Sequence, residues 1–289
     1  MSKMFDFGNI GNSKVALTRT WKEFRDSLKN KEFNYDEIEK AKNITFLRVL
    51  NDLFYEHKGI DIASKSISDI SCKMGRGTIL KDTEKVNYDR FLPKEQFITS
   101  ANRFSPKGVE WLYLALDNSA SATQTAKSEI RISEGQRFGF CYFEFGEDAK
   151  QYKIVDLTIA DEYEYDDFNT ALEAYAQLKL EKEIRKAKLL RRMPKKKDII
   201  NKAEFEQVFV EWSIYTYCKL LSEEIFLPLD TEDRDLAYAP FQTMANYFLS
   251  IGYSGIIYKS TVQNGGKNIV LFDKRLAHPM GEIVDEVIQ

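Results

Sequence analysis

A chain of 289 residues that is 43% apolar, with 20 Phe and 15 Tyr, holds enough apolar side chain for a sizeable core and is too aromatic to be disordered over most of its length. Its 42 basic and 45 acidic residues leave a net charge of −3, which gives no global case for nucleic-acid binding. Three scattered cysteines without a CxxC, an N-terminus without an apolar run, and no stretch near the roughly 20 apolar residues of a membrane helix predict a reduced, soluble, cytoplasmic protein with buried thiols. Two isolated histidines, His57 and His278, fit no HExxH zinc pattern, and no GxSxG elbow is present.

In chain order, residues 18–57 read as helical. Thr20-Trp-Lys-Glu23 has the form of a capping box, with Trp21, Phe24 and Leu28 following on one face. Leu47, Leu50 and Phe54 mark a second helix, which Gly59 closes. Residues 1–70 thus form a helical extension packed on the rest of the chain. A short strand with flexible glycines is expected at 72–77, a polar surface loop at 78–102, and an apolar strand at 111–116. Residues 119–130, rich in Ala, Ser and Thr, read as a helix able to approach a sheet closely.

Residues 137–145 are dense in aromatics and carry a strong strand signal. A second strand, 152–157, is expected to join them through the Gly146-Glu-Asp turn. Helices are predicted at 172–193, ended by Pro194, then at 205–226, and at 238–251, broken by Gly252. Strands 255–260 and 269–272 close the chain as a hairpin around Asn264-Gly-Gly. The class is α+β, a mixed sheet over 71–289 with a helical insertion at 160–235 on one edge.

Several polar residues beside these strands suit a phosphate-bearing sugar nucleotide. Arg103, at the start of Arg103-Phe-Ser-Pro-Lys-Gly108, can fork onto a phosphate, or be a solvated arginine. Tyr113 offers an aromatic face for a base or nicotinamide, or is a core tyrosine. Glu129, at the end of the helix, can accept from a ribose hydroxyl and stabilise positive charge as a glycosidic bond breaks, or pair with Lys127 or Arg131. Ser260 can bond a phosphate or ribose oxygen. Asn264, Gly265 and Gly266 can bring backbone N–H groups to a ligand, or simply make the turn.

Taken together, Arg103-Phe-Ser-Pro-Lys-Gly with Tyr113-Leu-Ala, then Ser128-Glu129, then Gly255-Ile-Ile-Tyr-Lys-Ser260 and Asn268-Ile-Val-Leu-Phe272 resemble the RES-domain family. That family is named for an arginine, a glutamate and a serine in widely spaced motifs. Tyr238 and Gln242 resemble the helix before the ending in longer members, and Met74-Gly-Arg76 resembles the opening strand. The resemblance spans roughly residues 70–275 and departs at Asn102, which stands where glycine is common.

The resemblance implies a fold similar to ADP-ribosyltransferases, NAD as substrate, and no metal. It implies Arg103 on the pyrophosphate or the nicotinamide-side phosphate, with Arg76 a second phosphate ligand, and Tyr113 stacked on nicotinamide. Glu129 would bind the ribose hydroxyl and stabilise the oxocarbenium-like state. Ser260 would fix the nicotinamide ribose or amide, and Asn264 and Asn268 would complete the binding set. Many members are bacterial toxins neutralised by a helix-turn-helix (Xre-type) antitoxin that blocks the pocket.

The leading expectation is therefore hydrolysis or phosphorolysis of the nicotinamide bond of NAD, depleting it. ADP-ribosyl transfer to a protein is the alternative. A third possibility, from another class, is a nucleic-acid or protein-binding module built on residues 179–197, where ten Lys or Arg face two acids. Leu180, Ile184, Ala187 and Leu190 give that run an apolar stripe, which favours a solvated helix or a partner-docking surface. The sequence leaves three roles open for residues 1–70: contact with an antitoxin, self-association, or bracing of the sheet.

Overall fold

The computed structural model describes residues 9–165, 167–191, 200–227 and 233–289. Helix α1 (Ile10–Lys29) starts at Asn9, whose side chain accepts from the Asn12 N–H. Thr20 is therefore not a cap. It lies buried within α1 and donates to the Leu17 carbonyl, so its Thr-x-x-Glu spacing arises inside a helix already running. The apolar stripe holds. Trp21 meets Phe46 edge-on at 4.8 Å and Phe241 at 5.0 Å.

Two short helices, α2 (Ile38–Ala41) and α3 (Thr45–Asn51), come next, and α3 widens into a π-helical turn at Asp52–Glu56. Lys58, at φ 56°, takes the left-handed position expected of Gly59. Gly59 serves another purpose, because a Cβ there would lie 2.4 Å from Ile214 Cδ1 and 2.5 Å from the Leu53 carbonyl oxygen. It lets this turn press against a helix from the other end of the chain.

The sheet contains β1 (Ser64–Ser66), β2 (Met74–Leu80), β3 (Leu112–Leu116), β4 (Arg137–Phe145), β5 (Lys153–Asp156), β6 (Gly255–Lys259), β7 (Lys267–Leu271) and β8 (Ala277–Val287). Their order is β1-β5-β6-β7-β3-β2-β4-β8, with β5–β6 parallel and the other described pairings antiparallel. The expected joining of 152–157 to 137–145 does not become a hairpin. After Gly146 the chain makes a 3₁₀ turn at Glu147–Gln151, and β5 pairs with β1 and β6, far from β4. Strand β8 is an addition to the expected elements. Most of its residues are exposed and both faces carry charge, so no alternation marks it.

Four further helices are α4 (Ala122–Glu129), α5 (Phe168–Leu189), α6 (Lys202–Leu220) and α7 (Arg234–Ser250). One continuous core joins Phe24 and Phe46 of the extension to Trp212 and Tyr217 of α6, Phe241 and Phe248 of α7, and Val155, Ile256 and Val270 of the sheet. The architecture is α+β, and the extension joins its main core from Ile10 to Ala63. Helix α5 is the least embedded, with Phe168 and Ala187 its buried residues. Leu180 and Leu190 of the expected stripe stay exposed. Met193, Pro194 and the end of the basic run lie outside the described residues. No described helix is long and apolar enough to cross a membrane. Cys141 and Cys218 are buried as expected, whereas Cys72 is exposed.

Candidate active site

The site begins where two strands part. β2 and β3 pair only at Met74↔Leu116 and Gly75↔Ala115, after which β2 continues along β4 as far as Leu80. A cavity of about 220 Å³ opens at this fork, lined by Arg76 and Gly77 on one strand and Tyr113 and Leu114 on the other. Its floor is a row of opposed residues across four strands. Tyr258 faces Asn268, Asn268 faces Ala115, and Ala115 faces Gly75. Opposed residues in antiparallel strands point to the same side. The small pair, Ala115 and Gly75, leaves the space that Tyr258 and Asn268 border.

Helix α4 covers the floor. Its N-terminus is fixed by the Ser121 side chain, which accepts from the Gln124 N–H, and by Asp117, which accepts from the Ala122 N–H. Small residues face the sheet. A Cβ on Gly77 would lie 3.1 Å from Ala126 Cβ, so the glycine permits the close helix–strand approach that the Ala/Ser/Thr composition foretold. The helix therefore delivers its last residue, Glu129, to the cavity edge above Asn268.

There Glu129 is held by two donors on one oxygen. Ser260 Oγ donates to Oε1 at 2.7 Å, and Asn268 Nδ2 donates to the same atom at 2.6 Å. Ser260 in turn accepts from the N–H groups of Val262 and Gln263, at 3.3 and 3.1 Å, so the start of the β6–β7 connection folds around its hydroxyl. Ser128 adds a tie at 2.7 Å to Gln263 Oε1. Oε2 of Glu129 makes no hydrogen bond among the described residues. One carboxylate oxygen is thus fixed by the protein, on a side chain that lines the cavity.

Arg76 and Tyr113 complete the walls. The Arg76 Nη1 is closed off from solvent and has no hydrogen-bond partner among the described residues. Burial, and secondly the charge of Arg90, pushes its guanidinium down to about 10, so it remains a cation at neutral pH. A buried cationic donor without an acceptor is costly unless an anion completes it. Tyr113 shares a 2.9 Å hydrogen bond with Ser105 Oγ, which fixes its ring at the cavity wall. Burial raises its phenol well above the usual range, so it stays neutral.

The structure therefore brings Arg76, Tyr113, Glu129 and Asn268 onto one cavity, with Ser260 bonded to Glu129 from behind. Arg103 lies behind the wall, and its neighbour Asn102 lines the cavity instead. The Arg103 Nη2 donates to the Leu227 carbonyl and to Thr261 Oγ1, and the guanidinium lies 5.0 Å from the Phe241 ring centre and 6.0 Å from that of Tyr238. Its Nη1 is buried and without a hydrogen-bond partner among the described residues, and burial lowers its pKa. Asn264 is exposed in the β6–β7 turn and does not border the cavity. Tyr258 is a lining residue that sequence reasoning missed. It stands two positions before Ser260 on a strand, so the period-2 alternation already placed the two on one face.

The family model described as RES domain matches residues 201–286. No curated protein and no solved structure matches the chain. The RES match is under a third of the chain and includes α6, α7, Ser260 and Asn268. Arg76, Arg103, Tyr113 and Glu129 lie upstream of it. The β3–β7 pairing and the Ser260–Glu129 bond connect the RES segment to them.

Proposed function

We propose that this chain cleaves the bond between nicotinamide and ribose in NAD. The observation that carries the reading is the tethered carboxylate, Glu129, with Oε1 clamped by Ser260 and Asn268, lining a cavity walled by Tyr113 and by Arg76, whose buried Nη1 has no hydrogen-bond partner among the described residues. In this reading the nicotinamide ring packs against Tyr113, and Oε2 accepts from a ribose hydroxyl. Arg76 takes a phosphate oxygen.

The C1′–N1 bond breaks with its electron pair going to the ring nitrogen, which turns the cationic pyridinium into neutral nicotinamide. Positive charge grows on C1′ and the ring oxygen, and a fixed carboxylate stabilises it without reorganising. The oxygen of water then bonds to C1′ and its proton passes to solvent, giving ADP-ribose. Phosphate or a protein side chain as acceptor would use the same first step. In a cell, unchecked turnover would drain NAD and make the protein a toxin.

The test is release of nicotinamide from NAD by purified protein, with water, phosphate and cell-extract protein offered as acceptors. Wild type is expected to release it and Glu129→Gln to lose at least about a hundredfold in rate while keeping its melting temperature. Intact NAD in every arm would overturn the reading.

A further inference from the structure

Beside the Glu129 cavity lies a larger cleft of about 940 Å³, built by residues 76–98 and sharing Arg76, Gly77 and Ile130 with it. This segment lies outside the RES match, and residues 78–98 of it read in the sequence as surface loop. Resting on cleavage of NAD as the function, we propose that this cleft takes the adenylate half of the dinucleotide, with Phe97 as the platform for adenine.

Size argues first. Sites for drug-sized ligands run to about 300–1,000 Å³, so a cavity of about 220 Å³ accommodates nicotinamide with its ribose and leaves the rest of a dinucleotide outside. The neighbouring cleft supplies the missing room, and Arg76 stands at the junction, where the two phosphates would pass. Its closed-off Nη1 has no hydrogen-bond partner among the described residues.

Charge argues next. The cleft carries Arg76, Lys81, Lys85, Arg90 and Lys94 against Glu84 and Asp89. Both acids are already engaged, Glu84 by Arg90 at 2.7 Å and Asp89 by Lys94 at 3.4 Å. Arg76, Lys81 and Lys85 have no carboxylate partner among the described residues, so the cleft presents surplus positive charge to an anion.

Phe97 is the third observation. It lines this concave surface with 70% of its area exposed, an aromatic face available for stacking. The rim is organised before any ligand arrives. Arg137 Nη1 donates to the carbonyls of Lys81, Asp82 and Glu84, and Arg90 Nη2 donates to that of Ile79.

The experiment compares NAD with nicotinamide mononucleotide, which carries the same scissile bond but no adenylate, and titrates ADP-ribose calorimetrically into Glu129→Gln protein. Wild type should prefer NAD by kcat/KM. Phe97→Ala should cut that preference about tenfold through KM and weaken ADP-ribose to a similar degree, and Phe97→Trp should restore both. Lys81→Ala with Lys85→Ala should weaken ADP-ribose in a salt-dependent manner. Equal use of the two substrates by wild type, or an unaltered ratio and ADP-ribose affinity in Phe97→Ala, overturns the adenylate site and leaves the cleavage reading standing. Nicotinamide released from neither substrate, with no ADP-ribose bound, removes both.

Discussion

Glu129 and Asn268, 139 positions apart in sequence, are joined by a 2.6 Å hydrogen bond from the Asn268 amide to one carboxylate oxygen. Asn268 is the second residue of β7, paired on one side to Tyr258 and on the other to Ala115. Its donor is therefore fixed by two ladders, and the orientation of the carboxylate depends on it.

Removing that donor should disturb turnover more than folding. A hydrogen bond to a charged group contributes about 1.5–3 kcal/mol, so Asn268→Ala should slow nicotinamide release by roughly ten- to a hundredfold. Asn268→Asp places a second carboxylate beside the first. Like charges raise the apparent pKa of such a pair, so the acidic limb of its pH–rate profile should move upward. An unmoved profile with normal rates would show that the clamp has no bearing on the chemistry.

Ser260 holds the hairpin as well as the carboxylate. Ser260→Ala removes the donor to Glu129 and the acceptor for two backbone N–H groups, costing about 1–3 kcal/mol of stability. Hydrogen exchange should detect this locally, with protection lost at Val262 and Gln263 and kept in the interior of β7. Uniform loss across the sheet would contradict a local role.

Gly59 is a structural test remote from the cavity. Alanine there would meet Ile214 and the Leu53 carbonyl at 2.4–2.5 Å, and overpacking of this kind costs about 1–3 kcal/mol. The thermal midpoint of Gly59→Ala should fall by several degrees. A substitution without effect would mean that the α3 turn and α6 are free to separate.

The thiols should differ in reactivity. Burial raises the pKa of Cys218 far above that of a free cysteine, so it should resist alkylation until the protein unfolds. Cys72 is exposed but also shifted upward, first by partial burial, with the charge of Asp117 adding to it. Its thiolate forms only as pH rises past the ordinary thiol value. Alkylation followed by mass spectrometry should find Cys72 modified first, slowly at neutral pH and faster above pH 9.

Much of this layout was legible in the residues. The Asn-Gly-Gly turn between apolar runs specified the β6–β7 hairpin, and the small-residue run specified a helix that could settle onto strands. The meeting of Glu129 with Ser260 was legible only through the family motifs, since spacing does not show which turn reaches which helix end. Arg103 illustrates the limit. Its place beside a Ser-Pro turn left the direction of its fork open, and that direction is decided by Phe241, Tyr238 and Thr261, which come from distant chain. The partner of β4 escapes the sequence because neighbouring strands usually pair, and here a 3₁₀ turn carries the chain away to the far side of the sheet.

The β3–β7 ladder has a consequence for biosynthesis. Chain leaves the ribosome N-terminal end first, so Glu129 emerges long before Ser260 and Asn268 can reach it. A partly made polypeptide, even one with the first four strands complete, has no gripped carboxylate and no finished floor beneath α4. The grip on this carboxylate is therefore among the last features of the fold to form as the chain is made.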